Sequence, residues 1–266
     1  NLVSIEIALI VITFVIFLPI LLGITMSIQP PESVFAFPPK LFPTGFHWRN
    51  YTEAFRKFPF EYFLMNSLII GLATTLGKIV TGILAGYAFA NFRFFGKSFS
   101  FAFLFATLFL PAETIMIVPL FAIMKQFGWV NTYWALTIPF MASATNTFLF
   151  RQHFRSMPKE LEDAAKIDGA SSWQQLRFVT LPLLNAQVIM VCILELIFNF
   201  KIFDQVYATT QGGPASASQT VIMLLYDTAF KFFRFGDASV MAVFVFVTLM
   251  VVTLVQWRLF RKPVEY

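Results

Sequence analysis

The sequence predicts an all-α polytopic membrane protein with six transmembrane helices and one large polar loop. Of its 266 residues, 58% are hydrophobic and only 12% are charged, whereas about a quarter of the residues in ordinary soluble domains are charged. Six apolar stretches are each long enough to cross a bilayer core, which requires about 20 helical residues. One polar and strongly patterned segment, residues 156–184, separates the fourth stretch from the fifth.

The six predicted spans are apolar around most of their circumference, so they would not be stable as separate helices in water. They cover residues 5–28, 62–90, 99–123, 129–150, 181–203 and 238–259. Pro111 and Pro119 are expected to kink or break the third span. The first span is expected to be retained, because it is too long for the apolar core of a signal peptide and no small-x-small cleavage site follows it. We expect residues 1–266 to form a single transmembrane domain.

Lys and Arg in the short loops predict that both termini lie in the cytoplasm. With that orientation the cytoplasmic segments hold the larger share of the basic residues, and the outer segments mix theirs with Glu and Asp. The basic residues of the cytoplasmic set are Arg93, Lys97, Arg151, Arg155, Lys159, Lys166, Arg177, Arg258, Arg261 and Lys262. Residues 156–184 then form a cytoplasmic loop.

This cytoplasmic loop is predicted to form two short helices joined by a sharp turn. Apolar residues recur at helical spacing opposite a charged side. They are Leu161, Ala164, Ala165 and Ile167. Ser156 is expected to cap the first helix, and Gly169 to end it in a left-handed conformation. Ser172 with Gln175 matches a capping box that starts the second helix, which runs to Pro182. An alternative is an interfacial hairpin that lies on lipid headgroups without a protein partner.

The segment LEDAAKIDGASSWQQLRFVTLPL resembles the EAA loop of bacterial ATP-binding-cassette (ABC) importer permeases. The positions that match the family pattern in order and spacing are Asp163, Ala164, Ala165, Gly169, Leu181 and Pro182. The family usually has Glu at the first position, and Asp163 is one methylene shorter. The resemblance implies that these residues, with Asp168 and Ala170, couple the chain to a cytosolic ATPase, because in the family this loop docks into a cleft of that subunit.

Two further stretches, residues 66–97 and 141–161, resemble the second-encoded permease subunit of maltose and glycerol-phosphate importers, whereas the segment from Asn199 onward is more similar to the first-encoded subunit. The resemblance implies the type I ABC importer permease fold in a bacterial inner (plasma) membrane. It implies a heterodimer with a second permease subunit, two ATPase subunits that carry ATP and Mg, and an extracytoplasmic substrate-binding protein. The implied solute is a sugar or sugar-like molecule, either an oligosaccharide or glycerol phosphate. No cofactor is expected in this chain.

Polar residues inside the spans are the candidates for a solute path, because ionisable groups at membrane depth are costly and usually face a bundle interior or a water-filled cavity. The path candidates are Lys78, Glu113, Asn146, Glu195 and Asn199. The alternative is mutual pairing for structure, either of Lys201 with Asp204 or of Lys78 with Glu195 or Glu113, or snorkelling of these side chains toward a membrane interface. If Lys78 lines the path, its charge is expected to favour anionic solutes.

Enzymatic and nucleic-acid functions find no support in the sequence. Residues 71–78, GLATTLGK, depart from the phosphate-binding loop in spacing and lie inside a predicted span. The sequence has no Ser-His-Asp, Cys-His or metal-spaced cluster, and with Cys192 as its one cysteine it forms no intramolecular disulfide. The net charge of +5 is scattered between apolar runs, which excludes nucleic acid as a partner.

The rival function is a stand-alone secondary transporter or channel for a small polar solute, in which Glu195 and Lys78 would couple ion or proton movement.

The outer loop of residues 211–219, QGGPASASQ, is expected to be flexible by composition. It serves either as a plain connector or, as equivalent loops do in the resembled family, as a contact for the binding protein.

Overall fold

The computed structural model describes residues 2–34, 42–43, 45–110, 112–213, 216 and 218–260. These residues form helices and irregular connections and contain no strand, which confirms the all-α prediction. The α-helices of the described chain are α1 (Leu2–Ile28), α2 (Arg49–Lys57), α3 (Phe60–Asn91), α4 (Lys97–Ala106), α5 (Ala112–Gln126), α6 (Tyr133–Thr137), α7 (Ala144–Ser156), α8 (Lys159–Ile167), α9 (Ser172–Gln175), α10 (Leu181–Phe200), α11 (Asp204–Thr209), α12 (Val221–Tyr226) and α13 (Phe235–Phe260).

Four helical stretches of the described chain are long and apolar enough to cross a membrane. They are Val3–Ile28, Phe60–Asn91, Trp173–Phe200 and Phe235–Arg258. These stretches correspond to the first, second, fifth and sixth predicted spans. The third and fourth predicted spans are built from shorter helices, α4 with α5 and α6 with α7.

The break in the third predicted span falls where the sequence places a proline. A 3-10 turn follows α4, and Leu110 then adopts an extended conformation with ψ of 138°, as expected for a residue that precedes proline. Pro111 itself lies outside the described residues, and α5 begins directly after it. Pro119 lies within α5, which continues through it.

The fourth predicted span is interrupted near its centre, although the sequence was expected to form one continuous helix there. Helix α6 passes into the 3-10 turn Ile138–Phe140, and three residues separate this turn from the start of α7 at Ala144. Ser143 caps α7, because its side chain accepts a hydrogen bond from the backbone N–H of Asn146 at 3.2 Å. The signal was present in the sequence as Pro139 followed by this capping serine.

The chain divides into two compact units. The first comprises Asn1–Leu64 and Val221–Val251. Within it, the end of α1 is joined to α2 by the Asn50 amide, which donates hydrogen bonds to the carbonyls of Ser27 at 3.0 Å and Gln29 at 2.7 Å. The most apolar stretch of α1 buries none of its residues within the chain, so its side chains are available to lipid or to another subunit.

The second unit comprises Met65–Thr220 and Val252–Tyr266 and contains both candidate functional regions. Its buried core is Ile79, Phe150, Phe154, Leu184 and Val191. Gly86 on α3 lies directly against α7, since a Cβ at this position would come within 2.7 Å of the Phe150 Cβ and 2.9 Å of the Arg151 backbone nitrogen. The absence of a side chain at Gly86 therefore sets the close approach of α3 to α7.

Candidate coupling loop and solute cavity

Gly169 ends helix α8 in the left-handed conformation that the sequence predicts, with φ of +79°. Its N–H bonds to the Lys166 carbonyl at 3.1 Å, and the N–H of Ala170 reaches back to the Ala165 carbonyl at 2.9 Å. This pair of hydrogen bonds is a Schellman motif, which satisfies carbonyls that the last helical turn leaves open. Asp168 is the C-terminal capping residue of α8.

Two predicted helix caps in this loop are wrong in position. Ser156 is the last residue of α7, where its hydroxyl donates to the His153 carbonyl at 2.8 Å, and Pro158 precedes α8 instead. The capping box lies one residue earlier than predicted: the Ser171 N–H donates to Gln174 Oε1 at 2.8 Å, and the Gln174 N–H donates to Ser171 Oγ at 3.4 Å. The predicted capping residue, Ser172, is already the first residue of α9.

The second helix of the loop continues into the membrane-spanning helix α10 without a break. Between α9 and α10 lies a π-helical segment, Leu176–Thr180, in which the Leu181 N–H bonds to the carbonyl of Leu176 five residues back. Pro182 follows at the start of α10 and has no N–H to donate. Leu181 and Pro182 therefore lie at the junction through which the loop is rigidly joined to α10.

Apolar side chains of the loop face solvent instead of the chain's own core. The side that was predicted to be apolar is exposed at Leu161 and Ala164. Ile167 is 87% exposed and Trp173 is 66% exposed. Asp163, whose position matches the motif, pairs with Lys166 on the same helix at 3.0 Å. The loop thus presents two large apolar side chains on either side of a fixed turn, and joined apolar surface of this kind marks contact with another protein or with a membrane.

A cavity of about 490 Å³ lies in the second unit, lined by residues from α3, α5, α7, α10 and the segment that joins α10 to α11. Of the predicted path residues, the structure brings Lys78, Glu195 and Asn199 together on its wall. Lys201 and Asp204 also line it.

Lys78 and Glu195 form an ion pair at the cavity wall, with 2.8 Å between Nζ and Oε2. Their side chains are only 12% and 11% exposed. Asn199 completes the cluster, because its Oδ1 accepts a second hydrogen bond from Lys78 at 3.2 Å and its Nδ2 donates to Thr75 Oγ1 at 3.0 Å. Glu195 and Glu113 were the two predicted partners of Lys78, and the structure pairs Lys78 with Glu195.

The remaining two path candidates are Asn146 and Glu113. Asn146 is buried on α7 and its side-chain Nδ2 has no hydrogen-bond partner among the described atoms, but it does not line the cavity. The side chain of Glu113 lies outside the described part of the chain. The suggested pairing of Lys201 with Asp204 is wrong for the described structure, since no ion pair joins them and the Lys201 ammonium instead lies 5.6 Å from the centre of the Phe198 ring.

The aromatic side of this cavity was not predicted from the sequence. Phe198 and Phe203 line it, and the Phe203 ring stacks on Tyr207 with 5.3 Å between ring centres. The available signal was the spacing of four residues between Phe203 and Tyr207, which brings two side chains together at a helix.

The outer loop is anchored by hydrogen bonds and burial at its C-terminal end. Asn66 donates to the Gln219 carbonyl at 3.1 Å, and the Tyr133 hydroxyl donates to the Asn66 side chain at 2.7 Å. Ser218 and Thr220 are buried. Residues 214, 215 and 217 lie outside the described residues.

The described chain, with helices apolar enough to span a membrane, an exposed loop with a sharp turn and a polar cavity, has the architecture of a transport permease. A family model described as "Binding-protein-dependent transport system inner membrane component" matches residues 78–262. The chain belongs to this family of bacterial ABC importer permeases, and is therefore a membrane component of a binding-protein-dependent transport system.

Comparison with individual proteins agrees with this family. The chain is 34% identical over 202 residues to the sn-glycerol-3-phosphate transport system permease protein UgpE of Pectobacterium atrosepticum, a match that spans 74% of this chain and 72% of the relative.

Two solved structures have the same fold. The first is of a bacterial ABC transporter involved in the import of the acidic polysaccharide alginate (TM-score 0.81, 18% identity, 96% of this chain and 95% of that one). The second is of a bacterial alginate ABC transporter in complex with an alginate pentasaccharide-bound periplasmic protein (TM-score 0.73, 15% identity, 98% and 94%).

Proposed function

We propose that this chain is one of two membrane subunits of an ATP-driven importer of a sugar or sugar-like solute. It pairs with a second permease subunit, and two ATPase subunits supply energy by hydrolysing ATP with Mg. An extracytoplasmic binding protein delivers the solute, which is an oligosaccharide or a glycerol phosphate. The name of the glycerol-3-phosphate relative and the binding protein in the alginate transporter complex support this proposal by analogy.

The coupling loop is the observation that carries the proposal. The Schellman turn at Gly169 fixes α8 against the start of the next helix, and the exposed Ile167 and Trp173 supply apolar surface for a cleft on the ATPase. The long helix that begins in this loop ends at the cavity, where Glu195 and Asn199 lie. A displacement of the ATPase would therefore move the cavity wall through one continuous helix.

Both termini and the coupling loop lie in the cytoplasm in this proposal, in line with the distribution of basic residues. A cysteine introduced by Ser171→Cys should resist an impermeant thiol reagent in intact cells, and one introduced by Ser216→Cys should react with it. Cys192, which is half-buried within α10, should stay unlabelled. Labelling at position 171 but not at position 216 would overturn the orientation and, with it, the docking of a cytosolic ATPase.

The coupling role is tested by Gly169→Val. A side chain in the left-handed region costs about 1–2 kcal/mol, so we expect co-purification of the ATPase and ATP-driven uptake to fall by about 5- to 30-fold while membrane insertion persists. Gly128→Val is a matched control, because Gly128 also has a positive φ, of +68°, and open space around it, but lies outside the coupling loop. Normal ATPase co-purification and uptake in Gly169→Val would contradict the coupling role.

The rival, a carrier that works alone, is tested by reconstitution of this chain without partners. In our proposal such liposomes are inert with or without an ion gradient. Uptake driven by an ion gradient in the isolated chain would favour the rival.

A further inference from the structure

The charges that line the cavity cancel one another. Lys78 is matched by Glu195 in the ion pair. Of the other described residues that line the cavity, Lys201 adds one positive charge and Asp204 one negative charge, so two cations face two carboxylates and the sum is zero. The side chain of Glu113 is not described, but as a glutamate it would add no positive charge to this sum.

The Lys78 ammonium is already committed to protein partners. It donates to Glu195 and to Asn199, which uses two of its three N–H groups. A phosphate or a carboxylate that approached Lys78 would also approach Glu195, whose like charge repels it. Lys201 lies beside the Phe198 ring, where it is a single cation balanced in sign by Asp204. No arginine lines the cavity among the described residues, although bidentate arginine is the usual protein group for binding phosphate or carboxylate.

The groups that remain open to the cavity suit hydroxyls. The third N–H of Lys78 is a donor, and Glu195 Oε1 accepts none of the described hydrogen bonds, since Oε2 takes those from Lys78 and Asn199. Ser143 and Thr145 line the cavity and can each donate and accept. Phe198 is 65% exposed and Phe203 stacks on Tyr207, so flat apolar surface stands beside these polar groups. Clustered donors and acceptors next to an aromatic face match a ring that carries several hydroxyls on an apolar body.

We propose that this cavity takes an uncharged, hydroxyl-rich solute, a neutral sugar, with Lys78, Glu195 and Asn199 as its hydrogen-bonding wall. This inference rests on the proposed importer function and chooses within its solute class. It replaces the expectation that Lys78 favours anions, because the charge of Lys78 is compensated in the folded chain. The proposed solute is uncharged, whereas the solutes named for the similar proteins, a phosphate ester and an acidic polysaccharide, are anions.

The test measures solute binding to the assembled complex of both permeases and the ATPase in nanodiscs, with the binding protein omitted so that it does not select the solute. Equilibrium dialysis compares radiolabelled maltose, sn-glycerol 3-phosphate and digalacturonate. We expect maltose to bind more tightly than either anion. Tighter binding of either anion, or binding of none of the three, would overturn the proposal.

A charge-changing variant locates the selectivity in this cluster. Glu195→Gln keeps the size of the side chain but leaves Lys78 uncompensated, so we expect glycerol phosphate and digalacturonate to gain affinity by about tenfold and maltose to lose a similar factor. Lys125→Gln removes a lysine that is exposed and outside the cavity, and should change none of the three affinities. Unchanged selectivity in Glu195→Gln would overturn the proposal. The importer assignment is measured separately, through ATPase co-purification, and can stand if this selectivity fails.

Discussion

Two ion pairs of nearly equal length occupy opposite environments in this chain. Lys78 and Glu195 meet at 2.8 Å in the cavity wall with side chains 12% and 11% exposed, whereas Lys166 and Asp163 meet at 3.0 Å in the coupling loop with side chains 57% and 65% exposed. Solvent screens the loop pair, so the pair contributes little to stability, and the exposed Asp163 carboxylate is accessible to a group on another protein. In the cavity wall both charges are poorly solvated, so the loss of either one would leave the other without a counter-ion.

The largest effect is expected from breaking the cavity pair. Lys78→Met leaves the Glu195 carboxylate unpaired in a poorly solvated site, which should destabilise the second unit by about 3–5 kcal/mol. The melting temperature of the purified permease complex measures this loss. The double variant Lys78→Met/Glu195→Leu removes both charges and should recover most of it. If Lys78→Met had the same melting temperature as the wild type, water in the cavity would be solvating the Glu195 carboxylate, and the expected loss would be contradicted.

The next effect concerns the packing of α3 against α7. Gly86→Ala forces a methyl group into contact with the Phe150 side chain and the Arg151 backbone, and should cost about 1–3 kcal/mol by overpacking. Gly23→Ala is the matched control, because a Cβ on Gly23 would meet nothing within 4 Å. Equal melting temperatures for the two variants would mean that α3 and α7 can move apart without loss.

The smallest effect is expected in the coupling loop. Asp163→Asn removes the charge that pairs with Lys166, and because both side chains are exposed the stability of the complex should change by less than about 1 kcal/mol. ATP-driven uptake should nevertheless fall if Asp163 contacts the ATPase, as its place in the motif implies. Reduced uptake at unchanged melting temperature separates a docking role from a structural one, and a large fall in melting temperature would contradict the comparison.

The difference between the two regions also explains how far the sequence could predict them. The coupling loop is local: the positive φ of Gly169 and the two short helices follow from residues within one segment. Its errors are short shifts along the chain: the capping box begins at Ser171 instead of Ser172, and Pro158 instead of Ser156 precedes α8.

The cavity is assembled from distant segments, so its sequence signal was weaker. The cost of an unpaired lysine in a membrane pointed to a carboxylate partner for Lys78, but only the folded chain brings Asn199 and Thr75 into the cluster. The aromatic residues of the wall are indistinguishable in sequence from the many phenylalanines that are exposed on the outside of the helices. The break in the fourth span was missed because an apolar run was read as one helix across Pro139.

The central claim, that residues 156–184 bind a cytosolic ATPase, is tested most directly by cross-linking. In a Cys192→Ser background, Ile167→Cys places a thiol at a position that is 87% exposed in the loop, and Phe127→Cys places one at a position that is 64% exposed after α5 as the control. A short bifunctional thiol reagent applied to the transport-competent complex should join position 167, and not position 127, to the ATPase. A complex that still transports while position 167 forms no adduct with the ATPase would contradict the account.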